Sequence, residues 1–302
     1  MGEKDITEKT LEAYNDVFAD IVNVLMMRGK QIVQEDELED DIARSHYKTK
    51  TKMRELERDV AKYWKNANIR IASLCMENQT DVDADMPFRV MAYDGVSYRA
   101  QLLQNEENQV ITQEKNNTKK NRKQRFPVIT LVLYFGYEKH WNKPLTLYDS
   151  MNIPNEIKPY VNDYKINLFE VAYLTDEQLN MLHSDFRIVA DYFVQMRKNH
   201  NYIPKPEKIK HVHAVLEMMS ALTKDRRFED VCDEVAKGED TTMCEVLDRI
   251  VEQGEARGEA NGEKKMGELY TRLCNDGKQE NYSRAIEDKE YREQLYREYC
   301  IE

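Results

Sequence analysis

The chain has 302 residues, 41% of them hydrophobic, enough to pack one large or two ordinary domains and too many for a disordered polymer. Charged residues make up 33%, mean hydropathy is −0.80, and no apolar run approaches the roughly 18 residues of a membrane span, so a soluble protein rich in solvated helix is expected. The formal net charge of −11 argues against indiscriminate coating of nucleic acid; a phosphate-binding surface must be confined to one face, away from acidic clusters such as Glu35 to Glu37 and Glu39 to Asp41.

The opening residues Met1 to Asp5 have no apolar stretch behind them and no small-residue cleavage site, which points to the cytoplasm. The five cysteines are widely spaced, without a C-x-x-C pair, and read as reduced thiols. Leu11, Tyr14, Phe18, Ile21 and Leu25 recur at helical spacing and predict an amphipathic first helix, with Asp16, Asp20 and Asn23 on an adjacent polar stripe. Arg28-Gly29-Lys30 closes it, because glycine accepts the left-handed conformation of a helix terminus. Lys30 to Val33 reads as the start of a strand and residues 34–52 as a polar excursion.

Strands are expected at about 56–64 and 69–78, with a reversal near Lys65 to Asn68. Glu77 and Gln79 then share a face, since strand side chains alternate, and the reversal brings Asp59 alongside them. Two carboxylates on neighbouring strands suit a divalent ion that polarises a phosphodiester and lowers the pKa of its bound water. The bland alternative is an acidic hairpin whose charges serve only pairing or the surface.

Asp85 and Pro87 open a helix, expected to bury Phe88, Met91, Ala92, Val96, Leu102 and Leu103. Arg89, near its start, is read either as a contact to phosphate or a site carboxylate, or as an exposed cation. Lys115, Lys119, Lys120, Arg122, Lys123 and Arg125 fall within eleven residues that contain no acid; they either grip a nucleic-acid backbone or form a solvated loop. Pro127 to Gly136 is a continuous β-branched run that suits a strand covered on both faces.

Beyond Leu168 the pattern turns helical, with capping boxes at Thr175 and Thr242. His211 and His213 fall on different sides of one helix, which argues against a metal pair. Tyr202 to Pro206 reads as a connector. Gly254, Gly258 and Gly262 recur every four residues, a row that either lets another helix approach or, at about 1 kcal/mol per glycine, frays into a hinge. The balance favours the hinge. Residues 266–302 form a small helical unit with a partner or DNA as its expected target. The boundaries drawn are a domain over 1–170, a helical region over 171–250, and the glycine-punctuated segment with its helical unit over 251–302.

Several of these segments, taken in order, carry a resemblance: Phe18 to Asn23, Arg58-Asp59-Val60, Glu77-Asn78-Gln79, Met86 to Val90, Tyr93-Asp94, Pro127 to Gly136 and Asp163 to Leu168. Over roughly the first 170 residues the chain resembles the Rpn family of recombination-promoting nucleases and transposases, a branch of the PD-(D/E)XK nuclease superfamily. The resemblance implies an α+β fold (α/β-like) whose core runs helix, three strands, helix, strand, followed by a helical C-terminal region. It further implies a DNA endonuclease dependent on Mg²⁺ or Mn²⁺, in which Asp59 and Glu77 bind the metal. Asp20, at the family's F-A-D position, is its possible third ligand, with a solvated acid as the alternative. Gln79 stands where the superfamily usually carries lysine; a neutral amide only orients water or phosphate by hydrogen bonding, which leaves the general base unassigned. The rival readings are a catalytically silent DNA- or protein-binding module on the same fold, and a helical scaffold in which the acidic hairpin is structural. Self-association through the C-terminal tail is compatible with each.

Overall fold

The computed structural model describes residues 10–41, 44–48, 53–57, 59–66, 69–114, 125–238 and 240–301. The chain divides into two compact units, Met1–Met243 and Cys244–Glu302.

The first unit opens on a single 3-10 turn, Leu11–Ala13, followed by α1 (Asn15–Ile21) and a π turn, Val22–Met26. The expected continuous helix is therefore broken at Tyr14, whose backbone is extended at ψ 131°. Asn15 holds the break, its side-chain amide donating to the carbonyls of Glu35 (3.0 Å) and Leu38 (3.2 Å). After the helix, Arg28 and Gly29 adopt φ of 57° and 81°, the left-handed termination that Gly29 favours. No strand forms at 30–33. Asn23 occupies the backbone there, accepting the amides of Ile32 (3.0 Å) and Val33 (2.9 Å) and donating to the Val33 carbonyl (2.8 Å).

The first strand, β1 (Leu38–Asp40), lies instead inside the polar excursion, and β2 (Arg44–Lys48) pairs with β3 (Met53–Glu57) as a separate hairpin. β4 (Val60–Asn66) and β5 (Ile69–Gln79) pair antiparallel down to Asn66↔Ile69, while residues 67 and 68 of the expected reversal lie outside the described residues. α2 (Met86–Glu114) crosses to β6 (Val128–Tyr134), which runs parallel to β5 and to β7 (Asn167–Glu170), a strand the sequence pattern did not show. The sheet order is β1-β4-β5-β6-β7, so β6 is covered by strands on both sides and nearly fully buried.

α2 packs one face of this sheet. Met86 and Val90 join Val132 and Ile166 in one cluster. Its outward side carries Met91, Leu102 and Leu103, which are exposed, contrary to the expected buried stripe. Polar pairs set the orientation instead: Asp94 accepts from Thr130 (2.6 Å) and from the Tyr164 hydroxyl, and Gln101 exchanges hydrogen bonds with the backbone of Phe126 (3.1 and 3.2 Å). Satisfied buried polar groups outweigh the helix's apolar periodicity here.

A short α3 (Leu147–Ser150) and α4 (Asp176–Met181) precede α5 (Phe186–Asn199), α6 (Val212–Thr223) and α7 (Arg227–Val235). The capping box at Thr175 forms with Gln178 as its reciprocal partner. Phe186 and Phe193 of α5 meet Phe135 at the end of β6, at 6.3 and 5.2 Å between ring centroids. The chain is thus a mixed α+β protein with a helical C-terminal region, the fold class that the resemblance implied.

The second unit is α8 (Met243–Asn275), α9 (Glu280–Glu287) and α10 (Lys289–Glu298), gathered on Leu269, Leu273, Ala285, Leu295 and Ile301. α8 runs unbroken through Gly254, Gly258 and Gly262, where the glycine row had favoured fraying; the intervening Glu, Ala and Arg residues are strong helix formers. A methyl group placed on any of the three would meet open space.

Candidate active site

The β4–β5 register ends at Val60↔Met76, so Asp59 and Glu77 are the next residues across from one another, at the carboxyl end of β5. Asp59 is exposed, and its Oδ2 accepts the backbone amide of Asn78 at 2.6 Å. Glu77 is 4% exposed, and its Oε1 accepts from the Arg89 guanidinium and from Gln79 Nε2 (3.4 Å). Glu77 and Gln79 therefore share a face, as strand alternation requires.

Arg89 stands near the start of α2, a turn after the loop that follows β5. It also donates to Asp83 (2.9 Å) and Tyr93 (3.3 Å). Burial opposes its charge, but its hydrogen bonds to Asp83 and Tyr93 and the field of Glu77 outweigh that and hold it firmly protonated. Over a third of its side chain still reaches solvent. The structure thus brings Asp59, Glu77, Gln79 and Arg89 to one end of the sheet.

A further carboxylate lies beneath them. Glu12, on the 3-10 turn, is 1% exposed and its Oε1 accepts from Asn78 Nδ2 at 2.7 Å. Asn78 alternates with Glu77, so Glu12 meets the opposite face of β5. Burial first, then the neighbouring Asp59 charge, push its pKa up to about 6 against the pull of two hydrogen bonds. Periodicity hid this residue, because a continuous helix through Leu11 would have turned Glu12 to solvent; the break at Tyr14 turns it inward.

Asp20 is engaged elsewhere. Its Oδ2 accepts the amides of His183 (2.8 Å) and Ser184 (2.7 Å), so α1 presents it to the turn before α5; the resemblance had implied Asp20 as a third ligand of the metal held by Asp59 and Glu77. Lys119, Lys120, Arg122 and Lys123 lie outside the described residues, and Arg125 is exposed at the entry to β6. His211 stacks on Tyr14 at 3.8 Å and meets Asp16 at 3.1 Å, whereas His213 faces Cys232 at 3.0 Å.

Among the described residues no group of three or more His, Cys, Asp or Glu side chains is disposed to hold a metal ion. The donors of Asp59 and Glu77 are all oxygen. That set fits Mg²⁺, which takes one or two carboxylates and completes its shell with water and substrate phosphate.

The chain matches a family model described as "Putative transposase, YhgA-like" over residues 65–226. This span contains Glu77, Gln79, Arg89 and Arg125, while Asp59, Asp20 and Glu12 precede it. Nothing matches among curated proteins or among solved structures.

Proposed function

We propose, from the premise that this chain belongs to the family of YhgA-like putative transposases, that it is a DNA endonuclease dependent on Mg²⁺ or Mn²⁺ that hydrolyses phosphodiester bonds in recombination or mobile-element DNA. The supporting observation is the placement of Asp59 across from Glu77 at the end of the β4–β5 pair, with Arg89 on the buried carboxylate. Asp59 and Glu77 would hold the ion; when bound, it polarises the phosphate and lowers the pKa of a coordinated water. Asp20 is left out of this ligand set because its Oδ2 already fastens two backbone amides at the turn before α5.

The remaining roles belong to the chain. Gln79 orients Glu77 through its side-chain amide. Arg89, partly open to solvent, is placed to move a hydrogen bond from Glu77 to a phosphate oxygen as substrate enters. Lys119, Lys120, Arg122, Lys123 and Arg125 supply backbone contacts that weaken with salt. The exposed glycine row of α8 is offered as a self-association surface, which sedimentation of the whole protein tests.

The test is a nicking assay with titrated Mg²⁺ on the wild type and on Asp59→Ala and Glu77→Ala, with circular dichroism to show that the variants fold. Metal-dependent nicking that falls to background in both variants supports the reading; equal cutting by all three proteins overturns it. One observation favours a second reading, a silent DNA-binding module: Glu77 is already tied to Arg89. DNA binding without nicking, and without any rise in melting temperature on adding Mg²⁺, would establish that alternative.

A further inference from the structure

The parallel strands β5, β6 and β7 end together, with Gln79↔Tyr134↔Glu170 in register. Residues in register on adjacent strands share a face, so Glu170 stands on the same face as Glu77 and Gln79, two strands away, or roughly 10 Å across the sheet. In sheets of this kind ligands bind outside the carboxyl ends of parallel strands.

Glu170 holds a small aromatic assembly there. Both of its carboxylate oxygens lie 3.2 Å from Nδ1 of His140, and Oε1 accepts the backbone amide of Trp141 at 2.7 Å. The His140 ring stacks on Tyr173 at 3.7 Å between centroids, 28° from parallel. The Arg197 guanidinium lies over the same tyrosine at 4.9 Å, anchored through Nε to the Ala172 carbonyl at 2.7 Å. Tyr173 thus carries both the Arg197 guanidinium and the His140 ring against it, and the His140 side chain is 67% exposed.

A histidine needed only for packing would not be fixed in plane by a carboxylate, backed by an aromatic ring and left open on its outer face. That combination is a stacking platform with a vacant end. A base has a π-face whatever its identity, and it is available for stacking only when unpaired. We propose that the outer face of His140 receives an unpaired base of single-stranded DNA, so that the substrate strand runs along the rim from Glu77 toward β7. The choice of DNA as ligand rests on the nuclease reading; the stacking geometry does not.

The experiment measures binding of the full chain to a 2-aminopurine-labelled single-stranded oligonucleotide, and to the same strand in duplex, with divalent ions chelated so that cleavage is not required. His140→Ala is expected to weaken single-strand binding about 5- to 10-fold and to abolish the stacking quench, with a much smaller change on duplex. His140→Phe, which keeps the π-face and loses the nitrogens, should bind within about twofold of wild type. Because His140 is a surface residue, an unchanged melting temperature in both variants confirms that they fold. Wild-type binding by His140→Ala overturns the proposal, as does rescue by His140→Gln where His140→Phe fails, since that pattern marks a hydrogen bond. Equal losses on single strand and duplex overturn it too. A protein that nicks DNA while His140→Ala binds normally refutes stacking alone; one that neither binds nor nicks DNA refutes the nuclease reading and this inference with it.

Discussion

Asp20 and Glu77 are both buried acids, 7% and 4% exposed, each on an element of the first unit, yet their surroundings are of different kinds. Asp20 accepts from two backbone amides at the turn before α5, donors that stay in place as long as the chain is folded. Glu77 accepts from the ends of two side chains, Arg89 and Gln79, and the arginine has other partners in Asp83 and Tyr93. The first arrangement fastens two segments of chain. The second leaves a carboxylate whose partners are able to change, which a ligand-binding group requires. Burial alone does not separate the two; the identity of the donors does.

Substitution tests this contrast directly. The largest effect is expected for Asp20→Ala, which strands two amides and should cost about 2–4 kcal/mol in urea unfolding, with Asp20→Asn recovering part because its carbonyl still accepts. Next comes Glu12→Gln. The folded state raises the pKa of Glu12 from 4.5 to about 6, so its protonated form is the one the fold favours. That contribution is fully present below pH 4.5 and is lost as pH rises through about 6, some 2 kcal/mol in all. Glutamine cannot ionise, and its amide brings a donor to Asn78 Oδ1, a buried atom without a hydrogen-bond partner. Glu12→Gln should therefore melt higher than wild type at about pH 8 and equal to it at about pH 4. A wild-type stability that is flat across this window would remove Glu12 from the account. The smallest effect is expected for Glu77→Gln, about 1 kcal/mol, because its carbonyl still accepts from Arg89; on the proposed function the same variant loses nicking. Should Glu77→Gln cost more stability than Asp20→Ala, the contrast is reversed and Glu77 is the structural residue.

Much of the sheet was legible because its signals are local. The β-branched run to Tyr134 reads as a buried strand without reference to anything else, and Pro87 marks the start of α2 by what its ring forbids. The E-x-Q alternation likewise predicts that Glu77 and Gln79 share a face. What stayed hidden depends on distant partners. β1 has one apolar residue, and it is a strand because Leu38 pairs with Trp64 while Asp40 and Glu39 meet Lys62 and Lys65, each at 2.5 Å. α2 is rotated away from its apparent apolar stripe by the bonds of Asp94 and Gln101. Glu12 enters the site only through the break at Tyr14, and His140 becomes notable only once Glu170 and Tyr173 stand beside it. None of these has a short-range pattern to announce it.

The position of β6 also governs how the molecule assembles. β4 and β5 are neighbours in sequence and are able to zip together early, but β6 docks on β5 only after the whole of α2 has been laid across the sheet. Such long-range parallel pairing is slow, because the entropy of closing the intervening loop is lost before any contact offsets it. Until it completes, the edge of β5 offers a row of unbonded amides and carbonyls to any other strand in solution. Recovery of folded protein from denaturant should accordingly fall with rising concentration, through intermolecular strand capture during that interval.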